Sequence, residues 1–442
     1  MAMVVKNNMS AISTLNTLNK NSSALTKSLA KVSSGMKINS AQDDASGYAI
    51  SERMRVQIRS LDQANQNTQN GSSMMKTAEG AVSSTVEILK TLKEKVINAA
   101  NDTNTDEDRK TIQKELDQSI DQIDDNANVT YNGKYLVDGS KNTIGSATYA
   151  SFTNQALATN TLDTTKLTEM NRRAGDSLEI VTTDKVTASI TTGGRTYTTT
   201  FSVDANTSIS TIVTNLNTVA TANGAVGKLS TTVTTTSNIG VDSGNNKVNT
   251  ADGKNAITIK SDTSGITGAV SGITISITDS QGNVKKSANA ALDAFGQSIF
   301  AENKSADNAL TLQVGAKANQ SIKVGLKDMR SEALGLKGSD GTKLNISTQA
   351  KANAAITVLD NAVAKALDQQ TTIGSIESRL EYTSSNLTTA SENVQASEST
   401  IRDADMAKEM TNYTKNNVLL QAAQSMLAQA NQNSSAVLSL LQ

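Results

Sequence analysis

Two apolar stripes with a seven-residue period, one toward each end of the 442-residue chain, limit what it can fold into. The first reads Met54, Leu61, Thr68, Met75, Val82, Leu89, Val96, and the second reads Leu359, Ala366, Ile373, Leu380, Leu387, Val394, Ile401. Side chains seven apart share one seam of an α-helix, so each stripe predicts a long helix whose seam stays turned toward a partner. At 1.5 Å per residue each segment is a rod of roughly 63 Å. Two rods of equal length, separated by more than 250 residues, pair most simply with each other. That arrangement brings the two ends of the chain together and loops the middle out.

Composition narrows the choices. Proline is absent, so nothing forbids long uninterrupted helices. Aromatic residues make up 2% of the chain and hydrophobic residues 37%, which disfavours a large aromatic-centred core. Without cysteine or histidine there can be no disulfide, thiolate metal site, His-based catalytic triad or His-ligated zinc. The Asp43 and Asp44 pair reads as a turn cap, and the loop at 242–253 resembles a calcium loop but lacks its acidic twelfth ligand. The chain is therefore expected to be no enzyme and to hold no cofactor or metal. A net charge of −1, from 41 basic and 42 acidic residues, leaves no electrostatic footprint for nucleic acid. It also lets many copies approach one another without accumulating repulsion. No run of 18 apolar residues is present, so no membrane span is expected. Residues 1–18 lack the basic-then-apolar layout of a cleaved secretory signal.

Glycine divides the chain into three parts. Six of the 26 lie in residues 1–140, one in 342–442 and the remaining 19 between, so helix-compatible ends flank a turn-rich centre. In the first segment Ala11, Leu18, Leu25 and Val32 alternate with Leu15, Leu29 and Met36 at 3-4 spacing, which predicts an amphipathic helix ending in the turn-rich run at 33–47. The first rod helix then runs over about 48–100. Thr105 with Asp108 three residues on predicts the start of a third helix whose apolar face is Ile112, Leu116, Ile120 and Ile123. In the centre the period changes to two. Val186, Ala188 and Ile190, then Tyr197, Thr199, Phe201 and Val203, flank Gly193 and Gly194 as in a hairpin. A short helix with Ile209, Ile212, Val213, Leu216 and Val219 follows, and the runs at 255–262 and 272–283 read as further strands. A second hairpin is expected at 310–326. Beyond Ile401 the seven-residue spacing resumes out of phase at Met406, Tyr413, Leu420 and Leu427, which predicts a break between two helices. The last residues stay apolar, unlike a frayed terminus, and are expected to dock.

The run LAKVSSGMKINSAQDDASGYAISERMRVQIRSL at 29–61 resembles the amino-terminal signature of bacterial flagellins, and the run at 401–442 resembles their carboxyl-terminal signature. Residues 74–139 and 310–336 extend the resemblance. It implies a structural subunit that self-assembles into the helical flagellar filament, exported without a cleaved signal and located outside the cell. The expected fold is mainly α with a β-rich centre, with long antiparallel coiled-coil helices from both termini and a variable β-rich outer domain looped out between them. The expected parts are a filament-core helix and connecting loop at 1–47, the first part of a helical rod domain at 48–140, and the outer domain at 141–305. The second part of the rod, with its hairpin, follows at 306–400, and the carboxyl-terminal core helix at 401–442.

Narrow apolar seams bury too little surface to offset about 1–2 kcal/mol of backbone entropy per residue, so the terminal helices are expected to be disordered in the monomer and to fold on docking to neighbours. Expected filament-core packing residues are Leu15, Leu18, Leu25, Leu29, Val32, Tyr413, Leu420, Leu427, Leu438 and Leu441. Gln370, Glu377, Ser384 and Ser391 are expected to lie opposite the carboxyl seam, free to hydrogen-bond between subunits. The resemblance further implies an export chaperone that binds 401–442, together with filament cap and hook-filament junction proteins as partners. It also implies recognition by an innate Toll-like receptor through a segment that here reads Leu89 to Asn98. In it Thr91 stands for the usual arginine and Lys95 for the usual leucine, while Glu115 matches the acidic partner. Losing a bidentate donor and adding a charge predict weakened activation. Two alternatives are a hook-filament junction protein, and a filament subunit whose centre also binds surfaces or glycans.

Overall fold

The computed structural model describes residues 8–440, with side chains as far as Asn433. Its helices are α1 (Met9–Ser34), α2 (Ala45–Ala100), α3 (Asp106–Ala127), α4 (Ile209–Ala222), α5 (Lys286–Leu292), α6 (Gln349–Arg402) and α7 (Met406–Leu440). The fold is mainly helical with a β-rich centre, and long helices from the two halves of the chain pair side by side. Two compact units are present. One comprises Met1–Thr68, Gln313–Gln320 and Tyr382–Gln442, and the other comprises Gln69–Leu312 and Ser321–Glu381.

In the first unit the start of α2 meets the end of α6. Leu61, Ala64 and Leu387 form a small buried cluster, with Ala390 and Val394 against it. Ser391 Oγ donates to Asp62 Oδ1 at 3.0 Å and Ser384 Oγ to Asn65 Oδ1 at 2.6 Å. One partner's number rises as the other's falls, so the helices are antiparallel. These bonds also correct an expectation, because Ser384 and Ser391 are used within the chain. Each lies four residues beyond a seam residue, which on a helix is about 40° from the seam rather than opposite it. Seam burial weakens in this unit, where Met54, Val394 and Ile401 are only half-buried.

The second unit is packed more tightly. On α2 the side chains of Met75, Val82, Leu89 and Val96 are inaccessible to solvent, as are Leu359, Ala366, Ile373 and Leu380 on α6. Lys93 pairs with Asp360 between these helices. Helix α3 begins at a full capping box. The Asp108 amide donates to Thr105 Oγ1 at 3.3 Å, and the Thr105 amide donates to Asp108 Oδ2 at 2.9 Å. It buries Leu116, Ile120, Ile123 and Ala127, and Arg109 reaches back to the carbonyls of Ala99 and Asn101.

Residues 150–301 contribute a single apolar core. Strands Lys185–Thr192 and Arg195–Ser202 form an antiparallel hairpin, and Val270–Thr278 pairs with the first of them. Helix α4 lies against this sheet with Ile209, Ile212, Val213 and Leu216 buried. A second, four-stranded sheet takes the order Phe295–Ile299, Ser151–Asn154, Ala256–Lys260, Thr234–Thr236. The runs at 255–262 and 272–283 are both strands, but they enter different sheets. Leu310–Gln313 and Ser321–Val324 form the later hairpin.

The Gly193–Gly194 turn is where the backbone needs glycine. Both residues have positive φ, 54° and 75°, as the two-residue hairpin turn requires. A Cβ on Gly194 would also meet the Thr342 carbonyl oxygen at 2.5 Å. Gly194→Ala is expected to destabilise the second unit by roughly 1–3 kcal/mol, read as a lower urea midpoint. Gly224→Ala, at an open turn with φ of 70°, tests the backbone cost without the clash and should cost less.

Candidate assembly surface

Helices α1 and α7 form an antiparallel pair built by local signals at each end. Asn8 caps α1 by accepting the Ala11 amide at 3.1 Å, and Gly35 closes it in the left-handed conformation. The sequence DAD at 403–405 ends α6, and the Asp405 carboxylate then accepts the Lys408 amide at 3.2 Å as α7 begins. Three asparagines cross-link the pair. Asn8 Nδ2 donates to the Ala430 carbonyl at 3.2 Å and Asn21 Nδ2 to that of Leu419 at 3.2 Å, while Asn416 Nδ2 donates to Ser28 Oγ at 3.1 Å.

The apolar residues of the pair divide into two sets. Leu18, Leu25, Val32, Tyr413, Leu420 and Leu427 are half-buried. Leu15 and Leu29 are 46% and 50% exposed, and Met9, Ile12, Met410, Val418, Leu419 and Met426 are also exposed. On α1 only Ser28 is buried, and on α7, among the described side chains, only Ala423. Leu438 and Leu441 lie outside the described side chains.

Arg402 holds the junction beside this pair. Its side chain is buried, and one guanidinium nitrogen donates to Glu52 Oε1 at 2.6 Å and to Ser51 Oγ at 3.4 Å. The guanidinium also lies 5.5 Å from the centre of the Tyr48 ring. Around it the Lys37 amide donates to the Arg402 carbonyl at 2.7 Å, and the Ala404 amide to that of Gly35 at 3.0 Å. A two-strand bridge between Met36 and Asp403 thus fastens the α1–α2 turn to the α6–α7 break. Asp43 accepts the amides of Asn39 and Ser40, and Asp44 accepts those of Ser46 and Gly47. Both act as caps, which is the role their position in a turn predicts. No periodic pattern marks Arg402, Glu52 or the cross-linking asparagines, and sequence reasoning missed them.

Residues 89–98, which the resemblance alone would assign to an innate receptor, lie in the second unit. Leu89 is buried in the helix seam, Thr91 is exposed, and Lys95 Nζ pairs with Glu115 Oε1 of α3 at 3.0 Å. Among the described residues no group of His, Cys, Asp or Glu could hold a metal ion, and no helix is long and apolar enough to cross a membrane.

The chain matches two family models, the bacterial flagellin N-terminal helical region over residues 5–142 and the bacterial flagellin C-terminal helical region over 356–441. It is 33% identical to a flagellin of Clostridium tyrobutyricum, over 97% of this chain and 99% of the relative. This chain belongs to the bacterial flagellin family. A Bacillus subtilis flagellin is 30% identical over 99% of this chain and all of its own length. The flagellar filament 33 kDa core protein of Treponema phagedenis is 28% identical over the same shares. As a flagellin it is a structural protein and a subunit of the flagellar filament.

Two of the carboxylates in the flagellin's junction, Glu52 and Asp44, contribute to its pH dependence. The hydrogen bond from Arg402 holds Glu52 below its ordinary 4.5, and the Gly47 amide holds Asp44 below 3.8. A lowered folded-state value means that ionisation stabilises the junction fully above those ordinary values and stops doing so as pH falls through the lowered ones. In assembled filaments, solid-state NMR should show the Glu52 carboxyl carbon titrating below 4.5 and returning toward 4.5 in Arg402→Met. Asp44, held by backbone amides, should be unmoved by that substitution.

Proposed function

We propose that the α1–α7 pair is the polymerising element of the subunit, incompletely folded in the free chain and completed by neighbouring copies. The observation that carries this reading is that, among the described side chains, the pair has almost no buried ones beside its many exposed apolar ones. Fixing a helical backbone costs about 1–2 kcal/mol per residue, whereas a fully buried Leu or Val returns roughly 1.5–3 kcal/mol. Helix α1 has 26 residues and no fully buried apolar side chain, so its own seam cannot hold it. Docking of further copies against Leu15, Leu29, Val418 and Met426 supplies the missing burial. An unfolded terminal helix also suits export through a narrow channel before assembly, without a cleaved signal. The same outward face of α7 is what an export chaperone would cover in the meantime. Packing of these tails against filament cap and hook-filament junction proteins follows the same logic.

The test introduces a carboxylate where only another subunit can bury it. Val418→Asp or Met426→Asp, both at exposed positions, should leave the circular dichroism of the free chain unchanged. Burying an unpaired carboxylate costs several kcal/mol, so the critical concentration for seeded polymerisation should rise by about tenfold or more. Normal filaments by electron microscopy would remove α7 from the interface.

Recognition by the innate receptor is expected to be weak. Thr91 offers no bidentate donor, and its hydroxyl is already donated to the Glu87 carbonyl at 3.0 Å. Glu115, the matching acidic residue, is held by Lys95 within the chain. A reporter-cell assay should show Thr91→Arg with Lys95→Leu raising activation above the parent chain. An unchanged response in that double variant would reject this account.

A further inference from the structure

We propose that the second unit binds a small oxyanion, of the phosphate or sulfate type, in the cavity walled by Lys304, Lys327, Arg330 and Lys365. The cavity measures about 130 Å³, enough for several waters or one such ion. Its wall carries those four cations and two carboxylates, Glu302 and Asp328. Both carboxylates are engaged, Asp328 by Arg330 at 2.6 Å and Glu302 by Lys327 at 3.4 Å, and Lys327 also reaches Asp368 at 3.2 Å. Among the described residues Lys304 and Lys365 form no direct ion pair, although Glu302 and Asp328 act on Lys365 from a greater distance.

Lys365 is the informative member. Its side chain rises from α6 with only 4% of the residue exposed. Its ammonium donates to the Ala333 carbonyl at 2.7 Å and lies 6.0 Å from the Phe300 ring centre, which uses one of three N–H groups in a hydrogen bond. Burial pushes this ammonium down to about 8, and the nearby Glu302 and Asp328 carboxylates offset that only in part. The N–H donors left over on Lys304 and Lys365, beside carboxylates already engaged, make a site that an oxyanion, with several lone pairs and a negative charge, completes.

The test is thermal melting and isothermal titration of the full-length chain with sodium phosphate and, separately, sodium sulfate. Sodium chloride at equal ionic strength is the control. Excluded salts raise melting temperatures without saturating, so the site's contribution is the saturable part. One ion per chain is expected. Lys304→Gln, an exposed change that leaves the fold alone, should weaken binding by roughly tenfold. Lys365→Met removes the buried ammonium and should keep a cooperative melt without phosphate while showing no saturable shift. Absence of saturable binding in the parent, or equal affinity in the Lys304→Gln chain, overturns the proposal. Saturable binding of sulfate but not phosphate would restrict the ligand to the fully ionised dianion.

Discussion

The terminal helices have one apolar seam to share and more apolar surface than that seam can use. In a helix, residues at 3-4 spacing cover an arc much wider than a single partner helix can bury. On α1 Leu18, Leu25 and Val32 are half-buried, whereas Ile12, Leu15 and Leu29 stay exposed. On the reading proposed above, the company of neighbouring copies completes such a pair. Near-neutral net charge removes the electrostatic obstacle to that company, and Asn8, Asn21 and Asn416 fix the register of the pair without adding to its apolar burial.

The junction at Arg402 solves a different problem. The DAD sequence breaks the helix after α6, and the turn after α1 is likewise irregular, so both chain crossings need backbone partners. They find them in each other, through the Lys37 and Ala404 amides. A buried guanidinium at this point requires a carboxylate and an aromatic face, and Glu52 and Tyr48 come from the first turns of α2. Removing one partner would leave a buried charge uncompensated, which makes this small cluster more consequential than its size.

Periodic features of the sequence translated directly into structure. The seven-residue stripes, the Thr105 capping box, the Gly193–Gly194 hairpin, α4 and the break before Met406 all rest on local rules that act over a few residues. What the sequence did not show depends on pairing. Ser384 and Ser391 fall outside the seven-residue stripe, yet an offset of four residues places them beside the seam, where Asn65 and Asp62 respectively take them up. Similarly, the strands at 256–260 and 270–278 look like neighbours in sequence yet join separate sheets. Arg402 and Lys365 carry no pattern at all, since their roles depend on residues far away in the chain.

The two family models match residues 5–142 and 356–441, the helical regions, and the core of residues 150–301 lies between them. That core satisfies itself. Its strands pair within two sheets, α4 and α5 contribute to it, and cross-strand hydroxyl pairs such as Ser189 with Thr198 at 3.0 Å occupy the face turned away from Ile190 and Ala188. A region that buries its own apolar side chains can change sequence without disturbing residues that depend on neighbouring copies. On the proposed reading the α1–α7 pair has no such independence, because its exposed apolar positions find complementary surfaces on another subunit. Burial is then completed inside the chain for the centre and between chains for the ends.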